Sequence, residues 1–166
     1  KNGYFIQFIF EITRIKSKND IATFNLNMIL IRYTLSLLLA TRDFRNSCNL
    51  IDYSKSFQLL TIQEKSKNIY QSKRLIPLTN RASKIIENFY ILKEKYNISS
   101  YSPVLLTNDG KEKDINKKNI KVFLTSLDVQ TYQESILFIE NFTSNIKLNF
   151  GRHIVTSFLS STNIDK

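Results

Sequence analysis

The chain has 166 residues, of which 42% are hydrophobic and 12% aromatic, enough for one domain with a buried core and too apolar for a disordered chain. Its single cysteine, Cys48, excludes an intramolecular disulfide and a Cys-rich metal site, and suits a reducing cytoplasm. Lys and Arg number 24 against 14 Asp and Glu, a formal charge of +10 that favours a polyanionic partner, nucleic acid before membrane; a chain rich in Asn, Ile and Lys also carries part of such charge as composition.

The chain begins at Lys1 with Met28 as its only methionine and stops just after an apolar helical pattern, so it reads as a fragment or a trimmed product. The opening "KNGYFIQFIFEITRIK" has basic flanks and a short apolar centre, but Gln7 and Glu11 interrupt it and no small-residue cleavage site follows, which argues against export. Ile21 to Ala40 has the length of a membrane span. Asn25, Asn27 and Arg32 are costly in hydrocarbon, which makes a buried helix of a soluble domain the better reading.

Asn19 or Asp20 is placed to cap that helix, which runs to about Ala40. After the polar break "TRDFRNSCN", "SFQLLTIQEK" and "SKRLIPLT" with "SKNIYQ" turning between them read as a β-hairpin, or with "NLIDYS" as a three-stranded β-meander. Thr79 or Asn80 opens a helix with Ile85, Phe89 and Leu92 on one face, ending near Tyr96. "YSPVLLTNDG" is an extended segment closing in an Asp-Gly turn. Asn116 or Asn119 opens a helix through Leu127, "TYQESILFIENF" gives another, and Asn149 is placed to cap a last helix carrying Ile154, Phe158 and Leu159. The class is α+β, mainly helical with a small antiparallel sheet.

No nucleophilic triad, paired carboxylates, P-loop or zinc motif is supported: there is one histidine, His153, and three glycines in all. Basic residues at element junctions remain. Arg42 and Arg45 follow the long helix, Lys65 and Lys67 lie at the hairpin turn, and Arg152 with His153 lies at a helix start. Arginines so placed can clamp a phosphate with bidentate hydrogen bonds, and a helix N-terminus adds backbone donors. Taken singly, each is equally a solvated surface charge.

Their order resembles the catalytic domain of the tyrosine recombinases, the phage-integrase family of DNA strand transferases. "LLLATRDFRNS" is similar to the family's first box. "LLTIQEKSKNIYQSKRLIPLTNRASKIIENF" is similar to its β-hairpin with a lysine at the turn, and is the most specific of the three blocks. "LNFGRHIVTSFLSSTNID" is similar to its second box, in an integrase-like subgroup with Asn-aromatic-Gly-Arg-His. The resemblance spans roughly residues 20 to 164 and implies a lead-in or remnant of a preceding domain over 1–19, then a partial catalytic domain over 20–166.

By that resemblance Arg152 clamps the scissile phosphate, with His153 beside it in the active site. Lys65, or Lys67 near it, protonates the departing 5′ oxygen, and Arg45 stabilises the pentacoordinate transition state. Lys67, Arg42, Lys73, Arg74 and Asn149 are the further DNA contacts. The reaction is attack by a tyrosine on the phosphate, giving a 3′-phosphotyrosyl link. Double-stranded DNA is the implied partner, with other protomers on DNA, a monomer away from it, no membrane, and no metal or nucleotide cofactor.

The departures are specific. The family expects Gly, one residue, then Arg after Ala40-Thr41, whereas this chain has Arg42-Asp43-Phe44-Arg45, so the first arginine is Arg45 or, in the other register, Arg42. Asn149 stands where many members carry His or Lys. The family's tyrosine follows the second box, and no tyrosine follows Arg152, so this chain as it stands is expected not to cleave DNA. The competing expectation is a non-catalytic basic module, a decayed integrase or a helical interaction domain, binding through Lys111, Lys113, Lys117, Lys118 and Lys121.

Overall fold

The computed structural model describes residues 2–41, 48–64, 72–127 and 132–145. In chain order they form α1 (Asn2–Arg14), α2 (Asp20–Leu39), β1 (Cys48–Ser54), β2 (Leu59–Glu64), β3 (Ser72–Pro77), α3 (Asn80–Lys95), β4 (Leu105–Leu106), β5 (Glu112–Lys113), α4 (Lys117–Ser126) and α5 (Gln133–Asn145). The class is α+β with small antiparallel sheets, as the sequence implied. The described backbone divides into two compact units, 2–30 with 104–145, and 31–103.

In the first unit α1 presents Phe5, Phe8 and Ile12 as a buried stripe at helical spacing, continued by Ile15 just past its end, a helix that the sequence reading left unassigned. Phe8 stacks on Phe142 of α5 with ring centroids 4.4 Å apart, and Phe5 lies 6.2 Å from the same ring. The Ser135 hydroxyl donates to Glu11 between these helices, and Arg14 lies 3.7 Å from the same carboxylate. Ser135, Ile136, Ile139 and Thr143 form the buried side of α5.

The start of α2 is fixed by Asn19, whose Oδ1 accepts from the N–H groups of Ile21 and Ala22 at 2.9 and 3.2 Å. This satisfies two donors that a helix start leaves unpaired. Asn116 does the same for α4, accepting from Asn119 N–H at 2.8 Å, so Asn116 rather than Asn119 is the cap. Between them β4 and β5 form a ribbon with Leu105 opposite Lys113 and Leu106 opposite Glu112. Its turn needs a left-handed residue, supplied by Gly110 at φ 81°. The sequence marked this turn but not the returning strand, which is two residues long.

The second unit is built on the three-stranded antiparallel sheet β1-β2-β3. Leu50, Leu60 and Ile62 are fully buried in it, and a bulge between Leu50 and Asp52 interrupts the β1–β2 ladder. The free side of β1 is partly covered by the chain after α3: Leu50 N–H donates to Tyr101 C=O at 3.1 Å, and Ser102 Oγ donates to Asn49 Oδ1 at 2.8 Å. Thr79, not Asn80, caps α3, its Oγ1 accepting from Ala82 N–H at 3.2 Å. The buried face of α3 is Ala82, Ser83, Ile86 and Phe89. The stripe expected through Ile85, Phe89 and Leu92 is thus rotated by about one position, because Ile86 is fully enclosed while Ile85 and Leu92 are half-covered.

Both long helices of this unit end in the same way. Ala40 at φ 49° follows α2, with Thr41 N–H donating to Ser36 C=O at 3.2 Å and Ala40 N–H to Leu37 C=O at 3.4 Å. Asn97 at φ 53° follows α3, with Ile98 N–H donating to Lys93 C=O at 2.9 Å. These are Schellman terminators, which favour Gly and tolerate Asn; alanine bears a steric cost there. Among the described residues α2 alone is long and apolar enough to span a bilayer, and 61% of its apolar window is buried within the protein.

Candidate nucleic-acid interface

Two of the residues to which the sequence assigned phosphate chemistry lie in the sheet of the second unit. β2 and β3 pair from Leu59 opposite Pro77 to Glu64 opposite Ser72, without a register shift. The connection between them, which carries Lys65 and Lys67, lies outside the described residues, as do Arg42, Arg45, Asn149, Arg152 and His153. Of the nine candidates, Lys73 and Arg74 of β3 are described.

These two are sequence neighbours in a strand and therefore leave opposite faces of the sheet. Arg74 lies opposite Ile62 and shares the face of Ile62 and Leu50, at its rim. Lys73 lies opposite Gln63, on the face of Thr61 and Leu75. Lys73 is exposed, and Leu75 on its face is 64% exposed, so this side of the sheet is open to solvent at β3.

Arg74 already has a partner. Its Nη2 donates to Glu64 Oε1 at 2.8 Å, a diagonal contact across the β2–β3 ladder. The Glu64 side chain is 19% exposed and the Arg74 side chain 49%. A guanidinium has five donors in a fixed fork, so one edge remains for a phosphate, but the carboxylate cancels much of the charge that would attract it. The sequence reading assigned no role to Glu64. The signal was available, since a two-residue offset across an antiparallel pair brings long side chains into diagonal reach.

β1 meets α3 through Tyr53, whose hydroxyl donates to Glu87 Oε1 at 3.1 Å, with Lys55 Nζ 4.0 Å from the same oxygen. The Tyr53 ring stacks on Tyr90 at 6.2 Å, and Phe89 meets Tyr90 edge-on at 5.4 Å. Burial, and after it the Asp52 carboxylate, push the Tyr90 phenol from 10.0 up to about 12. Its hydroxyl is buried with no hydrogen-bond partner among the described residues. This network braces the sheet against its helix, and Tyr90 is a poor nucleophile candidate because its phenol holds its proton more tightly.

The lysines of the competing reading are partly spoken for. Lys121 Nζ lies 3.8 Å from Glu140 Oε1 of α5, while Lys111, Lys113, Lys117 and Lys118 are exposed. Among the described residues no group of three His, Cys, Asp or Glu side chains could hold a metal ion.

Comparison with protein-family models, with curated proteins and with solved structures finds no match to this chain.

Proposed function

We propose that this chain is a DNA-binding domain of the tyrosine-recombinase type, with a tyrosine-recombinase-like catalytic-domain fold, that tracks duplex phosphates and clamps a scissile phosphate through Arg152. The observation that carries the reading is the meander β1-β2-β3 leading directly into the Thr79-capped α3. The most specific sequence block requires that order, with Lys65 and Lys67 in the β2–β3 connection and Lys73 on the open face of β3. A charge of +10 supplies the long-range attraction. The cytoplasm is the setting we assign, where the thiol of buried Cys48 stays reduced.

The test is fluorescence anisotropy with a labelled duplex. The K65A/K67A double variant is expected to bind about tenfold more weakly than the parent chain at low salt. Equal affinity in the two proteins would remove the hairpin from the interface.

A second reading is favoured by the Arg74–Glu64 pair and by the open lysines around α4: a non-catalytic module that binds polyanions diffusely through Lys111, Lys117 and Lys118. In that case the K111A/K117A/K118A variant loses duplex affinity, and the hairpin variant keeps it.

A further inference from the structure

The first unit contains a cavity of about 680 Å³, within the size range of small-molecule sites. Its walls come from the α1–α2 turn, the first turns of α2, the β4–β5 ribbon and the outer side of α4. Ala22, Leu105, Leu106, Val122 and Phe123 supply an apolar surface, and Val122 is 63% exposed although it lies on α4 beside the buried Phe123.

Three lysines, Lys16, Lys18 and Lys113, border the same cavity, and no carboxylate does among the described lining residues. Each lysine is exposed. Three cations, two from the α1–α2 turn and one from β5, bordering one concavity whose described lining holds no carboxylate set a local positive potential.

The polar groups of the lining are mostly consumed by the fold. The Asn19 oxygen caps α2, and both halves of the Asn25 amide are bonded to Leu106. Thr107 Oγ1 accepts from Lys111 N–H, and the Asn119 amide donates to Asp114 C=O. Little remains to read the donor and acceptor pattern of a base or a sugar. What the cavity offers is a cationic rim over an apolar wall.

From this geometry we propose that the cavity binds a small amphipathic anion: a phosphate or carboxylate head held by Lys16, Lys18 and Lys113, with an alkyl or aryl body against Leu105, Leu106 and Val122. This site does not rest on the recombinase reading, whose described residues Lys73 and Arg74 lie in the second unit.

Isothermal titration calorimetry of the full chain with octyl phosphate and with octanoate tests it, the stronger of the two identifying the head group. Octanol and inorganic phosphate are titrated as the separate halves. At least one amphiphile is expected to saturate a single site, about tenfold or more tighter than either half. The K16A/K18A/K113A variant, altered only at exposed positions, is expected to weaken it about tenfold, as is V122D, while K117A/K118A leaves it unchanged. Helix content by circular dichroism confirms that each variant is folded. Absence of single-site saturation, equal binding by inorganic phosphate, or an unaltered triple variant would overturn the proposal. So would loss of duplex affinity in that variant together with competition by duplex for octyl phosphate, because the lysines would then belong to a nucleic-acid surface.

Discussion

Asn25 of α2 and Leu106 of β4 are joined by two hydrogen bonds: the side-chain amide donates to the Leu106 carbonyl at 3.0 Å and its oxygen accepts from the Leu106 N–H at 2.8 Å. The amide thereby pairs with a strand residue as a neighbouring strand would. Both residues are buried, so neither backbone group has water as a substitute. Asn25→Ala is expected to leave a buried donor and acceptor unpaired and to cost about 3 kcal/mol. The urea midpoint reads this directly, and an unchanged midpoint would mean that the pair contributes nothing net.

Ala40 offers the opposite change. It occupies the left-handed position of a Schellman terminator at φ 49°, where its Cβ crowds the backbone. Ala40→Gly is expected to raise stability by about 1 kcal/mol, the relief of that crowding exceeding glycine's greater freedom in the unfolded chain. Thermal unfolding checks it, and a lowered Tm would contradict the assignment of the terminator.

Tyr90 makes stability pH-dependent at the alkaline end. With its folded-state value raised from 10.0 to about 12, its contribution is fully present below pH 10 and is lost as pH rises towards 12, because the unfolded chain gives up the phenolic proton first. Tyr90→Phe removes the group and is expected to flatten that part of the stability profile. Since the hydroxyl has no partner among the described residues, the variant is also expected to be at least as stable as the parent at neutral pH. An unchanged alkaline slope in the variant would assign the effect to other groups.

The Glu64–Arg74 pair links the sheet to the proposed DNA interface. Glu64→Gln removes the competing negative charge and is expected to tighten duplex binding, whereas Arg74→Ala is expected to lower the salt slope of binding by about one. If neither variant alters binding, β3 does not approach the phosphates on that face.

Much of the fold was legible in the sequence because local signals agreed with tertiary packing. Asn19, Thr79 and Asn116 stand before apolar periodic runs and cap the helices that follow. The meander was legible because polar turn residues separate three short β-rich segments. α1 was not, because its basic flanks and short apolar centre fitted a leader as well as a helix; Phe8 and Phe142 reveal its role only when brought together across the chain. α3 was misphased by about one position because Ile85 and Ile86 are adjacent and equally apolar, and periodicity alone could not say which one faces the core. The proposed site was legible as types of residue, not as geometry: Lys73 and Arg74 look like one basic pair in sequence, yet strand alternation separates them and Glu64 claims one.

Arg152 is the residue on which the proposed phosphate clamp depends. Its most direct test is the affinity of the parent chain and the R152A variant for one labelled duplex, measured between about 50 and 200 mM salt. The account predicts salt-dependent binding by the parent, a loss of about tenfold or more in R152A at every salt concentration, and no loss in the control K84A at an exposed position of α3. Equal binding by R152A and the parent, or no duplex binding by the parent at the lowest salt, would contradict it.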